Sequence, residues 1–328
     1  MRAALVKEFG PPSSLRVEDV PDLVPGPGEV LIEVGAFSIN FPDILVVEGT
    51  YQILPSRPFS PGKEAAGRVI AVGEGIDRIT VGQRVLALVE YGAYAEQLVV
   101  PQQVVMALPD SISYQNAAAF GLAYSTAHLG LFVRGRMQPG ETVLVTGAGG
   151  GVGSAGVQLA KARGAHVIAL AQDDVKAEVV RRQGADLVLT STPETLRDDL
   201  LAATDGKGVD VVLEMLGGDF LTQIIRGTAW EGRIVIVGFA SGGQNPIKPG
   251  HILVKNISVV GLQSSDYRDR NPELLRSTMA EIFELAEQAR VHATVDTTFP
   301  LDKVADALQY VKDGKVKGKV VVTTGRGL

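Results

Sequence analysis

The 328-residue sequence predicts a two-domain α/β protein, an all-β unit of short strands and tight turns joined to a six-stranded, doubly wound parallel sheet. Three observations support this. Residues 1–119 consist of short alternating or apolar runs broken by Gly and Pro, such as "RAALVKEF", "EVLIEVGAFSIN" and "QRVLALVEYG". From Thr142 onward, continuous apolar β-branched runs alternate with helical stretches, as parallel strands buried on both faces require. The first of these runs leads directly into "TGAGGGVG", a glycine-rich turn that opens a helix.

In order along the chain, "SYQNAAAFGLAYSTAHLGLF" reads as a helix from its Ala and Leu content. The strands follow as "TVLVTG" (142–147), "HVIALA" (166–171), "DLVLT" (186–190), "VDVVLE" (209–214), "RIVIVG" (233–238) and "ISVVGL" (257–262). Six is the number of strands in a complete dinucleotide-binding sheet. Asn271 is placed to cap a helix with Pro272 in its first turn and Leu275, Met279, Ile282 and Ala286 on one face. A second helix is expected from Asp302 to Gly314, with Val304, Leu308 and Val311 inward, and "KVKGKVVVTTG" gives a last strand. This tail is too short to form its own core, so it is expected to complete the N-terminal unit. The expected domains are thus 1–119 with 264–328, and 120–263.

Composition narrows the function. Lys and Arg number 31 against 37 Asp and Glu, a net charge of −6 that offers no basic field for nucleic acid. With 45% hydrophobic residues the chain can build cores without staples. It has no cysteine, which excludes disulfides, thiolate nucleophiles and cysteine-ligated zinc. "MRAALVKEFGPP" meets Lys7 and Glu8 before any useful apolar stretch, and no run approaches the ~18 apolar residues of a membrane span. A cytoplasmic protein without membrane or nucleic-acid partners is expected. The four histidines carry no motif.

The segment "TVLVTGAGGGVGSAGVQLAKARGAHVIALAQDD" has strand, glycine turn and helix in the order a dinucleotide site needs. The G-x-G-x-x-G frame falls on Ala148, Gly150 and Gly153, with Gly149, Gly151 and Val152 completing the expected cofactor loop. Helix positions Val152, Ala155, Leu159 and Ala162 share one face. An NAD site wants an acid at the end of the second strand. If Ala171 holds that slot there is room for a 2′-phosphate, and Lys176 could neutralise it; if Asp173 turns in, NADH is favoured. NADPH is the expected cofactor, with NADH not excluded.

The stretches "EVLIEVGAFSINFPDILVVEGTY", "PFSPGKEAAGRVIAVGEGIDRITVGQRV", "GETVLVTGAGGGVGSAGVQLAKARGAHV" and "KVKGKVVV" resemble the medium-chain dehydrogenase/reductase superfamily, in particular its zinc-free quinone oxidoreductase (zeta-crystallin-like) branch. The resemblance spans nearly the whole chain and implies a GroES-like N-terminal domain of β-barrel type with a Rossmann sheet. In the zinc enzymes of that superfamily a His ligand stands where Lys63 is, and a Cys ligand lies near "NFPD"; a lysine ammonium has no lone pair, so no metal is expected.

The resemblance further implies Asn40, Asp43 and Tyr51 in the pocket, Asn40 supplying an amide to the acceptor or to the nicotinamide ribose, with Lys63 as a further pocket residue. It places Tyr124 and Thr126 on the nicotinamide side, Gly238, Phe239 and Ala240 in the loop meeting the carboxamide, and Lys319 among the cofactor contacts. Glu64 either biases the site electrostatically or pairs with a nearby base and holds its turn, the second reading being preferred. Two positions depart from the branch: Ser191 or Thr192 stands where a Tyr often follows the third strand, and Leu45 where an aromatic residue occurs.

Without a Lewis acid the acceptor must already be electrophilic, so a quinone or other α,β-unsaturated carbonyl is the expected substrate. Reduction of 2-enoyl thioesters is the alternative enzyme reading, and a nucleotide-binding regulatory or crystallin-like protein the alternative of another class. The sixth strand, at a sheet edge, implies a homodimer by the same resemblance.

Overall fold

The structure is a computed structural model that describes residues 1–326. The chain divides into two compact units. One comprises Met1–Leu122, Ser265–Gln288 and the residues from Ala293 on; the other comprises Ala123–Ser264 with Ala289–His292.

The second unit is a Rossmann sheet. Its first strand, Thr142–Val145, lies centrally between His166–Leu170 and Val209–Glu214, with Leu187–Leu189 beyond the former and Thr228–Ile236, then Ser258–Gly261, beyond the latter. All five pairings are parallel. Every apolar run named from the sequence supplies one strand, because only residues such as Val143, Leu144, Val211, Val212 and Ile234 tolerate complete burial on both faces. The fifth strand starts earlier than its apolar run. Thr228 pairs with Val209, and pairing resumes only at Arg233 opposite Val211, leaving a bulge between.

The first unit carries a seven-stranded sheet around the long strand Glu29–Ile39. That strand pairs antiparallel with Glu64–Val72, Gln97–Pro101 and the C-terminal strand Lys319–Thr323. Val30, Ile32, Val34 and Phe37 from its inner positions join Val69, Val85, Leu308, Val320 and Val322 in one buried core. The helix capped by Asn271 runs Pro272–Glu287, with the Asn271 side chain accepting from Leu274 N at 3.1 Å. The second helical segment begins as a 3₁₀ turn at Leu301–Lys303 before the helix Val304–Lys312.

Several elements are additional to those expected from the sequence. A helix, Phe41–Glu48, interrupts the all-β region directly after the long strand, with Pro42 in its first turn and Gly49 closing it at φ +75°. A strand, Val295–Pro300, pairs parallel with Lys319–Thr323.

Candidate functional site

The glycine-rich turn begins where Thr142–Val145 ends. Gly147 has φ +55° and its carbonyl accepts from Gly150 N at 2.9 Å, a tight closure that a side chain would strain. A Cβ at Gly153 would overlap the Gly147 carbonyl and come within 2.6 Å of Ala148 Cα. Glycine there lets the helix Gly151–Ala162 press directly against the turn. Gly150 is its N-cap and no side chain caps it, so the first-turn amides of Gly151, Val152 and Gly153 form a dipole-backed end suited to an anion.

Beside this turn lies Lys176, whose aliphatic carbons would meet a Cβ on Gly149 at 3.0–3.2 Å. Its ammonium donates to Gln172 Oε1 at 2.9 Å. Asp173 is the N-cap of the helix Asp174–Arg182, its Oδ1 accepting from Lys176 N at 2.8 Å. Its carboxylate therefore already has a local partner. Ala171, at the end of the second strand, is buried and donates its N–H to Leu189 O at 2.9 Å.

Glu214, which the sequence reading did not single out, ends the fourth strand. Its carboxylate accepts from Leu216 N at 2.9 Å and Gly217 N at 3.0 Å, and lies 3.3 Å from Thr146 Oγ1. Thr146 Oγ1 in turn accepts from Met215 N at 2.8 Å, so the acid joins the start of the glycine turn to the turn after the fourth strand. Burial raises the carboxyl above its ordinary pKa, against those bonds. Its sequence signal was an acid terminating the apolar run "VDVVLE".

Tyr124 and Thr126 are buried. The Tyr124 hydroxyl donates to His292 O at 2.6 Å and accepts from Gln158 Nε2 at 2.9 Å, and burial raises its pKa. Thr126 Oγ1 is 2.9 Å from Ser264 Oγ. In the loop after the fifth strand, Gly238 precedes an exposed Phe239, and Ala240 N donates to Met215 O at 2.8 Å.

In the first unit, the end of the strand Glu29–Ile39 and the start of the helix Phe41–Glu48 gather the other expected residues. Asn40 is the N-cap and Asp43 lies at N3, where its Oδ2 accepts from Asn40 N at 2.8 Å and from Tyr94 OH at 2.7 Å. Its Oδ1 is buried without a hydrogen-bond partner. Burial pushes the Asp43 carboxyl up to about 6, opposed by the Tyr94 and Asn40 hydrogen bonds and by the charges of Lys63 and Lys319. The Tyr94 hydroxyl is raised too, by burial first and then by Asp43.

The Asn40 carboxamide lies between two charges. Its Nδ2 donates to Glu64 Oε1 at 2.9 Å and its Oδ1 accepts from Lys319 Nζ at 2.6 Å. Glu64, fully buried, also accepts from the Ser38 hydroxyl and from Leu122 N, and lies 3.4 Å from Lys319 Nζ. Glu64 is thus a buried hub in which four donors compensate its charge. Lys63 is also sealed, at 1% exposure, with its ammonium 2.5 Å from Glu90 Oε1 and 4.7 Å from the Tyr51 ring centroid. Arg268 Nη1 completes that cluster 3.2 Å from Glu90 Oε2.

Family models match both units: residues 26–110 fit the alcohol dehydrogenase GroES-like domain, and 151–281 fit the zinc-binding dehydrogenase family. A quinone oxidoreductase-like protein 2 homolog from Nematostella vectensis is 38% identical, the match covering 98% of this chain and 89% of that protein. The chain belongs to the medium-chain dehydrogenase/reductase family, in its zinc-free, quinone oxidoreductase-like branch. Among solved members, a Pseudomonas syringae pv. tomato quinone oxidoreductase has a TM-score of 0.91 at 29% identity, covering 98% of this chain and 99% of that one. A mycobacterial protein, Rv1454c, solved in complex with NADPH, has a TM-score of 0.91 at 31% identity, covering 98% of this chain and 100% of that one.

One of the two family models is named for zinc, and the donor set of this medium-chain dehydrogenase/reductase family member does not fit that ion. The chain has no cysteine, the Lys63 ammonium is paired with Glu90, and among the described residues no group of three His, Asp or Glu side chains could hold a metal. The glycine turn does fit a dinucleotide, because the space a Cβ would fill at Gly153 is closed by backbone and the helix end is uncapped.

Proposed function

We propose that the chain is an NADPH-dependent, zinc-independent reductase acting on a quinone or another activated α,β-unsaturated carbonyl. The observation that carries this reading is the Lys63–Glu90 ion pair, which leaves no lone pair where a metal-using relative needs a ligand. An unactivated ketone would lack the several kcal/mol of polarisation that a metal supplies. A quinone needs less help, because its charge delocalises onto an oxygen that a hydrogen-bond donor can stabilise.

NADPH, when bound, supplies the hydride. The amides of Gly151, Val152 and Gly153 would hold its pyrophosphate, and Lys176 with Gln172 its 2′-phosphate. The small Ala171 and the engagement of Asp173 in its own helix cap support NADPH over NADH. The NADPH complex of the mycobacterial relative is consistent with this.

On the acceptor side, Asn40 would donate an amide hydrogen to the oxygen on which negative charge develops, and Tyr51 would supply a wall and a hydroxyl. Asp43 holds the helix start that carries Asn40. With a proton on Oδ1, Oδ2 still accepts from Asn40 N and Tyr94, so the cap survives titration near pH 6. The exposed edge of the strand Ser258–Gly261 supports a homodimer, which the solution mass would test.

The function is tested with NADPH and a panel of ortho- and para-quinones, enones, a 2-enoyl-CoA and a simple ketone. Turnover of quinones or enones without the ketone supports the reading. Preference for the enoyl thioester, or oxidation of NADPH with none of them, overturns it.

A further inference from the structure

The strands that meet at Asn40 come from distant parts of the sequence. Glu64 opens the strand Glu64–Val72 and Lys319 opens the C-terminal strand Lys319–Thr323, and both flank the end of Glu29–Ile39. They bracket the Asn40 carboxamide with opposite charges, a carboxylate against its NH2 and an ammonium against its oxygen. Turning the carboxamide by a half rotation would set NH2 against ammonium and oxygen against carboxylate. Both hydrogen bonds would become repulsions inside a buried site, where charge interactions are strong.

The two charges also face each other at 3.4 Å, so each offsets the burial of the other while both hold Asn40. Glu64 is fully buried and Lys319 is 6% exposed; beyond this pair and Asn40, Lys319 has the Ile39 carbonyl at 3.4 Å, and Glu64 has Ser38 and Leu122 N. The carboxamide spends one N–H on Glu64 and one lone pair on Lys319. Its second N–H has only weak approaches to Ser38 O and Oγ, each at 3.5 Å.

We propose that Glu64 and Lys319 are positioning residues that lock Asn40 in one orientation and so hold its second N–H ready to donate to the acceptor oxygen. This rests on the reading that Asn40 contacts the acceptor. It assigns Lys319 to Asn40, whereas the family resemblance alone implied a cofactor contact.

The test combines Lys319→Met and Glu64→Gln, each alone and with Asn40→Ala, with selective 15N labelling of asparagine. In the wild type, the Asn40 amide hydrogen bonded to the Glu64 carboxylate is expected downfield of the ordinary range of asparagine side-chain amides, with the pair identified by its loss in Asn40→Ala. Both hydrogens within the ordinary range of asparagine side-chain amides would overturn the locked orientation, and this measurement needs no turnover.

In Lys319→Met, kcat with a quinone is expected to fall about tenfold, the effect of misplacing one hydrogen bond, while NADPH affinity holds. In the Asn40→Ala background the same change should cost less than about twofold, since coupled residues are not additive. Equal losses in both backgrounds would make Lys319 merely structural, and a loss of NADPH affinity with kcat intact would return it to the nucleotide; either overturns the proposal. If the wild type reduces no quinone, the functional reading fails while the resonance measurement still decides the orientation.

Discussion

Replacing Asp43 by Asn removes a buried charge and leaves its geometry almost unchanged. The carbonyl oxygen can keep the bonds from Asn40 N and Tyr94 OH, and the NH2 takes the place of Oδ1, an atom that has no partner in any case. The carboxyl is raised from 3.8 to about 6, mainly by burial. That shift corresponds to about 3 kcal/mol at about 1.4 kcal/mol per pKa unit. Between pH 4 and 6 the folded protein holds a proton that the unfolded chain has released. Stability contributed by this group is therefore complete below pH 4 and lost as pH rises through about 6.

Relative to Asp43→Asn, the wild type should lose about 3 kcal/mol of stability on going from pH 4 to 7, with the difference flat beyond that window. In scanning calorimetry this is about 6–12 °C in Tm for a unit of this size. Parallel Tm curves for the two proteins across the window would mean that Asp43 titrates normally. Burial would then not raise the Asp43 carboxyl.

Gly153→Ala forces a Cβ against Gly147 O and Ala148 Cα, so the helix end must retreat from the turn. NADPH affinity, followed by nucleotide fluorescence, should fall about tenfold or more, a loss of about 1.4 kcal/mol, and unchanged affinity would contradict the cradle. Lys63→Met leaves Glu90 with Arg268 as its remaining partner. Denaturant unfolding should show a loss of about 3 kcal/mol, the lower end for breaking a buried pair, and unchanged stability would show that the pair is dispensable.

The Rossmann sheet was readable because burial on both faces demands the apolar runs that mark each strand, as in "TVLVT" and "VDVVLE". The cap at Asn271 was readable because its chemistry is local, one side chain and the N–H three residues on. The helix Phe41–Glu48 was not, although Asn40, Pro42, Asp43 and Gly49 are its start and stop signals, because its apolar run "ILVV" also suits a strand. The strand "VDTTFP" is half polar and edge-lying, so alternation is weak there.

At the candidate site, the absence of cysteine and the presence of Lys63 made the lack of a zinc donor set legible. The sequence placed Asp173 and Lys176 within a few residues of the second strand, and only the fold shows that the Asp173 carboxylate caps its own helix. Glu64 and Lys319 lie 255 residues apart, and no spacing rule connects them. Their meeting depends on antiparallel pairing of the first-unit strands, which one sequence does not reveal.

Treating the protein with a chelator, verifying its metal content, and measuring kcat/KM for NADPH and NADH with one para-quinone separates a zinc-independent NADPH enzyme from a zinc-dependent or NADH-using one. Turnover that added zinc does not increase is expected, with a preference for NADPH of about tenfold or more from one charge-assisted contact to the 2′-phosphate. Turnover that appears only when zinc is restored, or a preference for NADH, would contradict that expectation.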